Sequence, residues 1–242
     1  MKWLFAFCCA LLFCGCVQPR GAVCFTFDDF DPVGWVKSDE LFQKYDGHAT
    51  FFFSGNIDKK RLEVMKKLSA SGHSIGLHTV HHANAVPLKD GDSVELYFKR
   101  EIQPQLDVCR ANNIKIRSFA YPNNRHNAET DEFLFQHFDF LRAGYGKGNP
   151  VIYIPLESLP DKMVMPGGGI GKYYKSKVEN LIAILDRAAD NGQLVVFFSH
   201  QIKPNADHVH ISPEMLEALL AHARTRNMYI ISAEEIPTLG KK

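Results

Sequence analysis

The sequence predicts a single α/β domain whose strands close into a (β/α) barrel, and three observations carry that expectation. Short runs rich in β-branched and aromatic residues alternate along the chain with amphipathic stretches. The runs are nearly continuous in apolar residues rather than alternating, the pattern of a parallel sheet covered on both faces. No Pro/Gly/Ser linker, internal repeat or low-complexity tract divides the chain after Cys16, so one domain is expected over residues 22–240. The charge balance narrows the function: 28 Lys+Arg against 27 Asp+Glu, with no basic block, leave no electrostatic footprint for nucleic acid.

The N-terminal segment MKWLFAFCCALLFCGCVQPR has one early lysine, an apolar run from Trp3 to Val17 and then polar residues. As a helix that run rises only about 22 Å against a hydrocarbon core of roughly 30 Å, so a secretory signal over residues 1–15 fits better than a membrane span. Leu12-Phe13-Cys14-Gly15-Cys16 resembles a bacterial lipoprotein signal, which implies acylation of Cys16, a short tether over 16–21 and an extracytoplasmic protein held in the cell envelope only by its lipid. Ordinary cleavage and secretion is the alternative. Four of the six cysteines fall in this segment, and the remaining two, Cys24 and Cys109, are expected to be free thiols.

Strands are expected at 22–27, 48–53, 73–77, 115–120, 138–142, 151–154, 193–199 and 228–232. Helices are expected at 36–45, 58–71, 92–112, 128–137, 174–191 and 213–226, the last opening on Ser212-Pro213-Glu214, an N-cap followed by proline and an acid in the first turn. Asn191-Gly192 stops the preceding helix just before a strand.

In such a barrel the chemistry sits where strands end. Asp28 and Asp29 follow the first run, His78-Thr79-Val80-His81-His82 the third, Tyr121-Pro122-Asn123-Asn124 the fourth and His200 the run over 193–199. Adjacent carboxylates leaving an apolar strand need a cation, a proton or strong hydrogen bonds. A divalent metal would supply the cation. His78 and His82 would face the same way, about 5–6 Å apart, were the intervening turn helical. Two imidazoles and one carboxylate leave coordination positions open for water and substrate, an arrangement suited to hydrolysis. Singly, an Asp-Asp pair is more often a solvated turn, and a His-x-x-x-His more often surface or core; their coincidence at one barrel end is what argues for a site.

These residues also carry a family resemblance. Thr26-Phe27-Asp28-Asp29, Gly72-His73-Ser74-Ile75-Gly76-Leu77-His78-Thr79-Val80-His81-His82, Phe119-Ala120-Tyr121-Pro122 and Phe198-Ser199-His200, with His48-Ala49-Thr50-Phe51-Phe52-Phe53 as second strand, resemble the polysaccharide deacetylases, the NodB-homology domain of carbohydrate esterase family 4. The resemblance spans roughly residues 22–232. It implies a distorted (β/α) barrel of seven or eight strands and one divalent metal, Zn with Co or Ni as alternatives. The reaction implied is hydrolysis of acetyl groups on an acetylated polysaccharide or oligosaccharide, with N-acetylated amino sugars expected. By motif, Asp28 would be general base, Asp29, His78 and His82 metal ligands, the Asn123 N–H an oxyanion donor beside Tyr121, and His200 the acid that protonates the leaving group. Thr79 would hydrogen-bond within its loop and His81 would point away.

The chain departs from the family pattern in three places. Phe30 stands where a glycine is frequent, and is expected to narrow the mouth. Ala120 occupies the place of an arginine that steadies the base, and Arg142, ending the next strand, is expected to serve instead. The Asp/Trp pair that tunes the acid histidine is not visible, leaving Asp161 and Asp186 as guesses. The missing arginine and Asp/Trp pair keep open a catalytically decayed carbohydrate-binding lipoprotein; a third reading keeps the metal but changes the bond, as an O-acetyl esterase for xylan-type glycans.

The run Pro166-Gly167-Gly168-Gly169-Ile170-Gly171-Lys172 lacks the P-loop spacing and is expected to be a flexible loop at the mouth, with Tyr173 and Tyr174 as sugar-stacking faces. Trp35 is either a further stacking face or a buried anchor. His208 and His210 are expected on an exposed loop rather than in a second metal site.

Overall fold

The computed structural model describes residues 21–88, 91–146, 148–204 and 209–239. The expected signal, Cys16 and nearly all of the tether, together with His208, lie outside the described residues. In chain order the elements are β1 (Ala22–Asp29), α1 (Gly34–Lys44), β2 (Ala49–Phe53), α2 (Lys59–Ala70), β3 (Ser74–Leu77), α3 (Val94–Glu101), α4 (Gln103–Ala111), β4 (Ser118–Ala120), α5 (Ala128–Leu134), β5 (Phe140–Ala143), β6 (Ile154–Pro155), β7 (Met163–Gly169), α6 (Val178–Asp190), β8 (Gln193–Ser199), β9 (Gln201–Ile202), β10 (His210–Ile211), α7 (Pro213–Thr225), β11 (Tyr229–Ile230) and α8 (Ile236–Leu239). Among the described residues no helix is long and apolar enough to cross a membrane.

Seven strands close a parallel barrel in the order β1-β2-β3-β4-β5-β7-β8, and β8 pairs back onto β1 from Ala22↔Leu194 to Phe27↔Ser199. β11 adds two residues beside the start of β1, and β6 pairs antiparallel with the start of β8. Strand side chains alternate between faces, and the two core clusters follow that alternation. Ala22, Cys24, Phe52, Ala120, Phe140, Met165, Leu194 and Val196 pack together inside the barrel. Val23, Phe25, Phe27, Phe51, Phe53 and Phe197 point outward onto Phe42 of α1, Leu68 of α2, Leu185 of α6 and Leu220 of α7. Counting in twos along the inner face carries β1 from Cys24 to Asp28, β3 from Gly76 to His78, β5 from Phe140 to Arg142 and β8 from Val196 to Phe198 and His200. The chemistry-bearing residues therefore cap one end of the barrel interior.

Three expectations need correction. The strand placed at 151–154 is only the short bridge β6; the barrel strand is β7, across the glycine-rich run read as a flexible loop. The glycines are there because neighbouring side chains occupy their Cβ positions. A Cβ at Gly167 would lie 2.9 Å from Arg142 Cδ and 3.0 Å from Phe198 Cδ1, and one at Gly169 would lie 2.4 Å from the Tyr174 ring. On the outer side, Val151 packs where a Gly168 Cβ would be, at 2.3 Å. The helix expected at 92–112 breaks into α3 and α4 at Ile102, just ahead of Pro104 in the first turn of α4. His210 is 5% exposed within β10, paired with β9, rather than on an exposed loop.

Cys24 and Cys109 are free and buried, and burial pushes their thiols up to about 12 and about 11. Both are core hydrophobes rather than nucleophiles.

His73, between α2 and β3, links folding to pH. Its Nδ1 accepts from Ala49 N–H at 3.0 Å, so Nε2 carries the proton and faces Asp39 Oδ1 at 3.2 Å. Burial against the Phe42 and Phe51 rings pushes the imidazole down to about 4. The unfolded chain then takes up a proton near the ordinary histidine value, while the folded chain does so only near 4. Stability is lost as pH falls between these values, by up to about 3 kcal/mol. Urea unfolding of wild type and His73→Asn, whose Oδ1 can take the place of Nδ1, is expected to show a steeper decline for wild type over that window; parallel declines would reject this assignment.

Candidate metal centre and active site

Non-glycine residues with positive φ collect at this barrel end, among them Asp29 (75°), Thr79 (66°), His82 (52°), Asn123 (52°), Asn124 (56°) and Asn149 (48°). Such conformations persist only where surroundings enforce them, and they collect at functional sites. The enforcing contacts here come from α4 and the loop itself. Gln105 Nε2 donates to the carbonyls of Phe53, Gly55 and Thr79 at 3.0, 2.8 and 3.2 Å, and Thr79 Oγ1 accepts from Ala83 N–H at 3.2 Å. His78 and His82 thus converge through left-handed residues rather than a helical turn, with ring centroids 4.9 Å apart. His81 turns outward, its Nδ1 3.2 Å from Glu101.

Asp29, His78 and His82 offer one donor atom each, all within 4.8 Å of one another. Asp29 Oδ1 lies 3.7 Å from His78 Nε2 and 3.8 Å from His82 Nε2. Bonds of about 2.0–2.2 Å to nitrogen and carboxylate oxygen can bridge donors spaced this way, and two imidazoles with one carboxylate suit a zinc-type ion with open positions. The tautomer of His78 agrees. Its Nδ1 is 2.8 Å from the Ala120 carbonyl, which can only accept, so Nδ1 carries the proton and the Nε2 lone pair faces the other donors. Burial, partly opposed by Asp28 and Asp29, pushes His78 down to about 4 and keeps the imidazole neutral.

Asp28 is 3% exposed and Arg142 1%. Arg142 Nη2 donates to Asp28 Oδ2, and Nη1 donates to Asn124 Oδ1 at 2.9 Å. The guanidinium lies over Phe198, 4.7 Å from its centroid, and farther from Phe52, at 5.7 Å. Burial alone would raise the Asp28 carboxyl, but Arg142, with His78 and His200, outweighs burial and holds it below the usual carboxylate range. Asp28 Oδ1 is buried with no hydrogen-bond partner. One carboxylate oxygen, 4.0 Å from His78 Nε2, is thus tied down by Arg142, and the other is left without a partner.

His200 Nε2 lies 3.8 Å from Asp29 Oδ2. Neither guessed orienter reaches it: Asp186 bonds His222 and Arg226, and Asp161 precedes β7 at the opposite barrel end. A cavity of about 580 Å³ brings together Asp28, Asp29, His78, His82, Tyr121, Asn123, Arg142 and His200, walled further by Asn124, Asn149, Tyr173, Tyr174, Phe198 and Val209. Tyr121 donates its hydroxyl to Asp131 at 2.7 Å, and Asn123 Nδ2 bonds Asn84 at 2.9 Å. Tyr173 stands at the rim, 59% exposed, edge-on to Tyr174. Phe30 does not narrow the mouth, because it packs on Trp35 and Phe53 beneath Arg61. Trp35 is the buried anchor, fully enclosed.

Asn124 and Phe198 stand in the strand-end motifs without an expected role of their own, and Gly167 stands in the run expected to be a loop. Phe198 had a usable signal, since it stands two residues before His200 on the same strand face. Gly167 had none, because what fills its place is the side chain of another strand.

A family model described as polysaccharide deacetylase matches residues 17–137. Among curated proteins, the uncharacterized protein YlxY of Bacillus subtilis (strain 168) is 30% identical over 83 residues, which is 34% of this chain and 25% of that protein. Three solved structures share the fold at low identity. The peptidoglycan deacetylase PdaC from Bacillus subtilis aligns with a TM-score of 0.62 and 15% identity, covering 92% of each chain. BA3943, a CE4 family pseudoenzyme from Bacillus anthracis, aligns at 0.59 and 16%, covering 90% of this chain and 65% of that one. The Xyl-CE4 domain of a multidomain xylanase from the hindgut metagenome of Trinervitermes trinervoides aligns at 0.58 and 16%, covering 90% and 89%.

Proposed function

The chain belongs to the polysaccharide deacetylase family, and on that premise we propose that it removes acetyl groups from N-acetylated amino sugars of a polysaccharide or cell-wall glycan, using one divalent ion held by Asp29, His78 and His82. The observation that carries this reading is the state of Asp28: ionised, with Oδ2 fixed by Arg142 and 4.0 Å from His78 Nε2, and Oδ1 buried and unpartnered. A carboxylate in that position is a base awaiting a proton donor. When bound, the ion supplies polarisation of the acetyl carbonyl and acidification of water. Asp28 takes the proton from the attacking water, and the Asn123 N–H, by its place in the family motif, would donate to the developing oxyanion. His200, across the cavity, protonates the departing nitrogen. The neutral amide walls of Asn123, Asn124 and Asn149 and the exposed ring of Tyr173 suit an uncharged sugar better than a phosphate or a strongly anionic ligand.

On the same reading residues 1–15 are a signal, and a lipid on Cys16 holds the enzyme in a bacterial envelope. A second reading, glycan binding without turnover, draws on His200 Nδ1, which is buried and has no hydrogen-bond partner to keep the ring a proton donor. Acetate release from N-acetylglucosamine oligomers and from O-acetylated xylan separates the possibilities. We expect release from the N-acetyl oligomers to exceed that from xylan. Faster release from xylan would make the protein an esterase, and glycan binding with no acetate from either would establish the second reading.

A further inference from the structure

Asp161 lies at the opposite barrel end and Asp186 bonds His222 and Arg226, and among the described residues no carboxylate hydrogen-bonds the His200 ring; what is tied down is its own carbonyl and the backbone two residues on. Trp35 Nε1 donates to the His200 carbonyl at 2.8 Å. Two residues on, the Ile202 N–H donates to Asp31 Oδ2 at 3.0 Å, while Asp31 Oδ1 accepts from Gly34 N–H at 3.0 Å and caps the start of α1. Asp31 stands in the turn that leaves β1 after Asp28 and Asp29, and Trp35 in the first turn of α1 that follows it. The indole is itself immobilised, fully buried with its ring 5.1 Å from both Phe51 and Phe53 and 6.2 Å from Phe30. Gly34 permits the approach, since a Cβ there would meet Asp31 Oδ2 at 2.0 Å and the Ile202 carbonyl at 2.4 Å.

We infer that Trp35, with Asp31, is a positioning residue for the reaction: its indole N–H sets the end of β8 against the end of β1, and so fixes the distance from His200 to the Asp28–Asp29 carboxylates. A burial-only role for Trp35 would need its ring but not its N–H. The hydrogen bond is partly buried and spans 165 residues of sequence, so it ties the start of α1 to the end of β8, which no local turn connects. Displacement of a catalytic group by about 1 Å can cost on the order of 100-fold in rate.

The inference rests on His200 acting as the acid in the proposed deacetylation, and its test separates the two. Departure of a sugar amine needs a proton, whereas 4-nitrophenyl acetate expels a stabilised phenolate and does not. The ratio of the rate on N-acetylglucosamine oligomers to the rate on 4-nitrophenyl acetate therefore reads the acid step alone. Trp35→Phe, and a protein carrying benzothienylalanine at position 35, which keeps the bicyclic shape and deletes only the N–H, are expected to lower that ratio by roughly 10- to 100-fold. In a His200→Ala background neither change should lower it further. Equal losses on both substrates, or a benzothienylalanine protein with the wild-type ratio, would overturn the positioning role. Should His200→Ala itself leave the ratio at the wild-type value, the acid assignment fails and the inference falls with it.

Discussion

Arg142→Ala is expected to reduce acetate release by about 10²- to 10⁴-fold, the range attached to losing a general base, and to destabilise the fold as well. The reason lies in what Arg142 does for Asp28. Both are almost fully enclosed, and the guanidinium outweighs the burial that would otherwise raise the carboxyl. Removing one partner of a buried ion pair costs about 3–5 kcal/mol when the other stays charged. Asp28 can avoid part of that cost by taking up a proton, but a protonated Asp28 is no base. The variant should therefore regain some activity as pH rises, because the carboxyl then ionises at a higher pH than in wild type. Wild type behaves oppositely at the acid end: its depressed Asp28 contributes stability that is present above the unfolded carboxylate value and lost as pH falls through the folded one. Arg142→Lys keeps a charge but not the second arm to Asn124 Oδ1, so its loss should be intermediate. Chemical denaturation and pH–rate profiles of the three proteins check this; a wild-type profile for Arg142→Ala would remove Arg142 from the mechanism.

How far these relations were legible in the sequence differs residue by residue. Asp28, Asp29, His78, His82 and His200 stand at strand ends, and a strand end is a local feature that composition marks. Their convergence on one cavity follows from the parallel barrel, which the unbroken apolar runs already imply. Arg142 was legible only as the end of the strand next to Ala120; its reach to Asp28 depends on crossing the barrel interior. The strand β7 was not legible. Glycine and proline at 166–169 carry the signature of a loop, and the reason for them is that Arg142, Phe198 and Tyr174 fill the space where side chains would stand. That information lies in other strands and cannot be read locally. The pairing of His78 with His82 was legible as spacing, but a helical turn was the wrong geometry, since Gln105 and Thr79 hold the loop in left-handed conformations that spacing does not report. Trp35 was legible as an anchor, and its bond to His200 was not.

Removal of the proposed ion should have the largest effect of all, because an ion held by Asp29, His78 and His82 would act on water and carbonyl together whereas each side chain would act on one proton or one charge. Asp29, His78 and His82 are the only group of three or more His, Cys, Asp or Glu among the described residues whose donor atoms converge for an ion. His78 is already the neutral, correctly protonated tautomer, so little reorganisation opposes binding. A ligand that binds only the folded state also stabilises it, by about 2.7 kcal/mol at one hundred times its Kd, so stripping should lower the unfolding temperature along with the rate. The most direct measurement is a titration of Zn into chelator-stripped protein with acetate release from N-acetylglucosamine oligomers followed at each point. The account predicts no release from the stripped protein, a linear rise that levels at one equivalent per chain, and no rise in His78→Ala; release that is independent of the ion, or none at any loading, would contradict it.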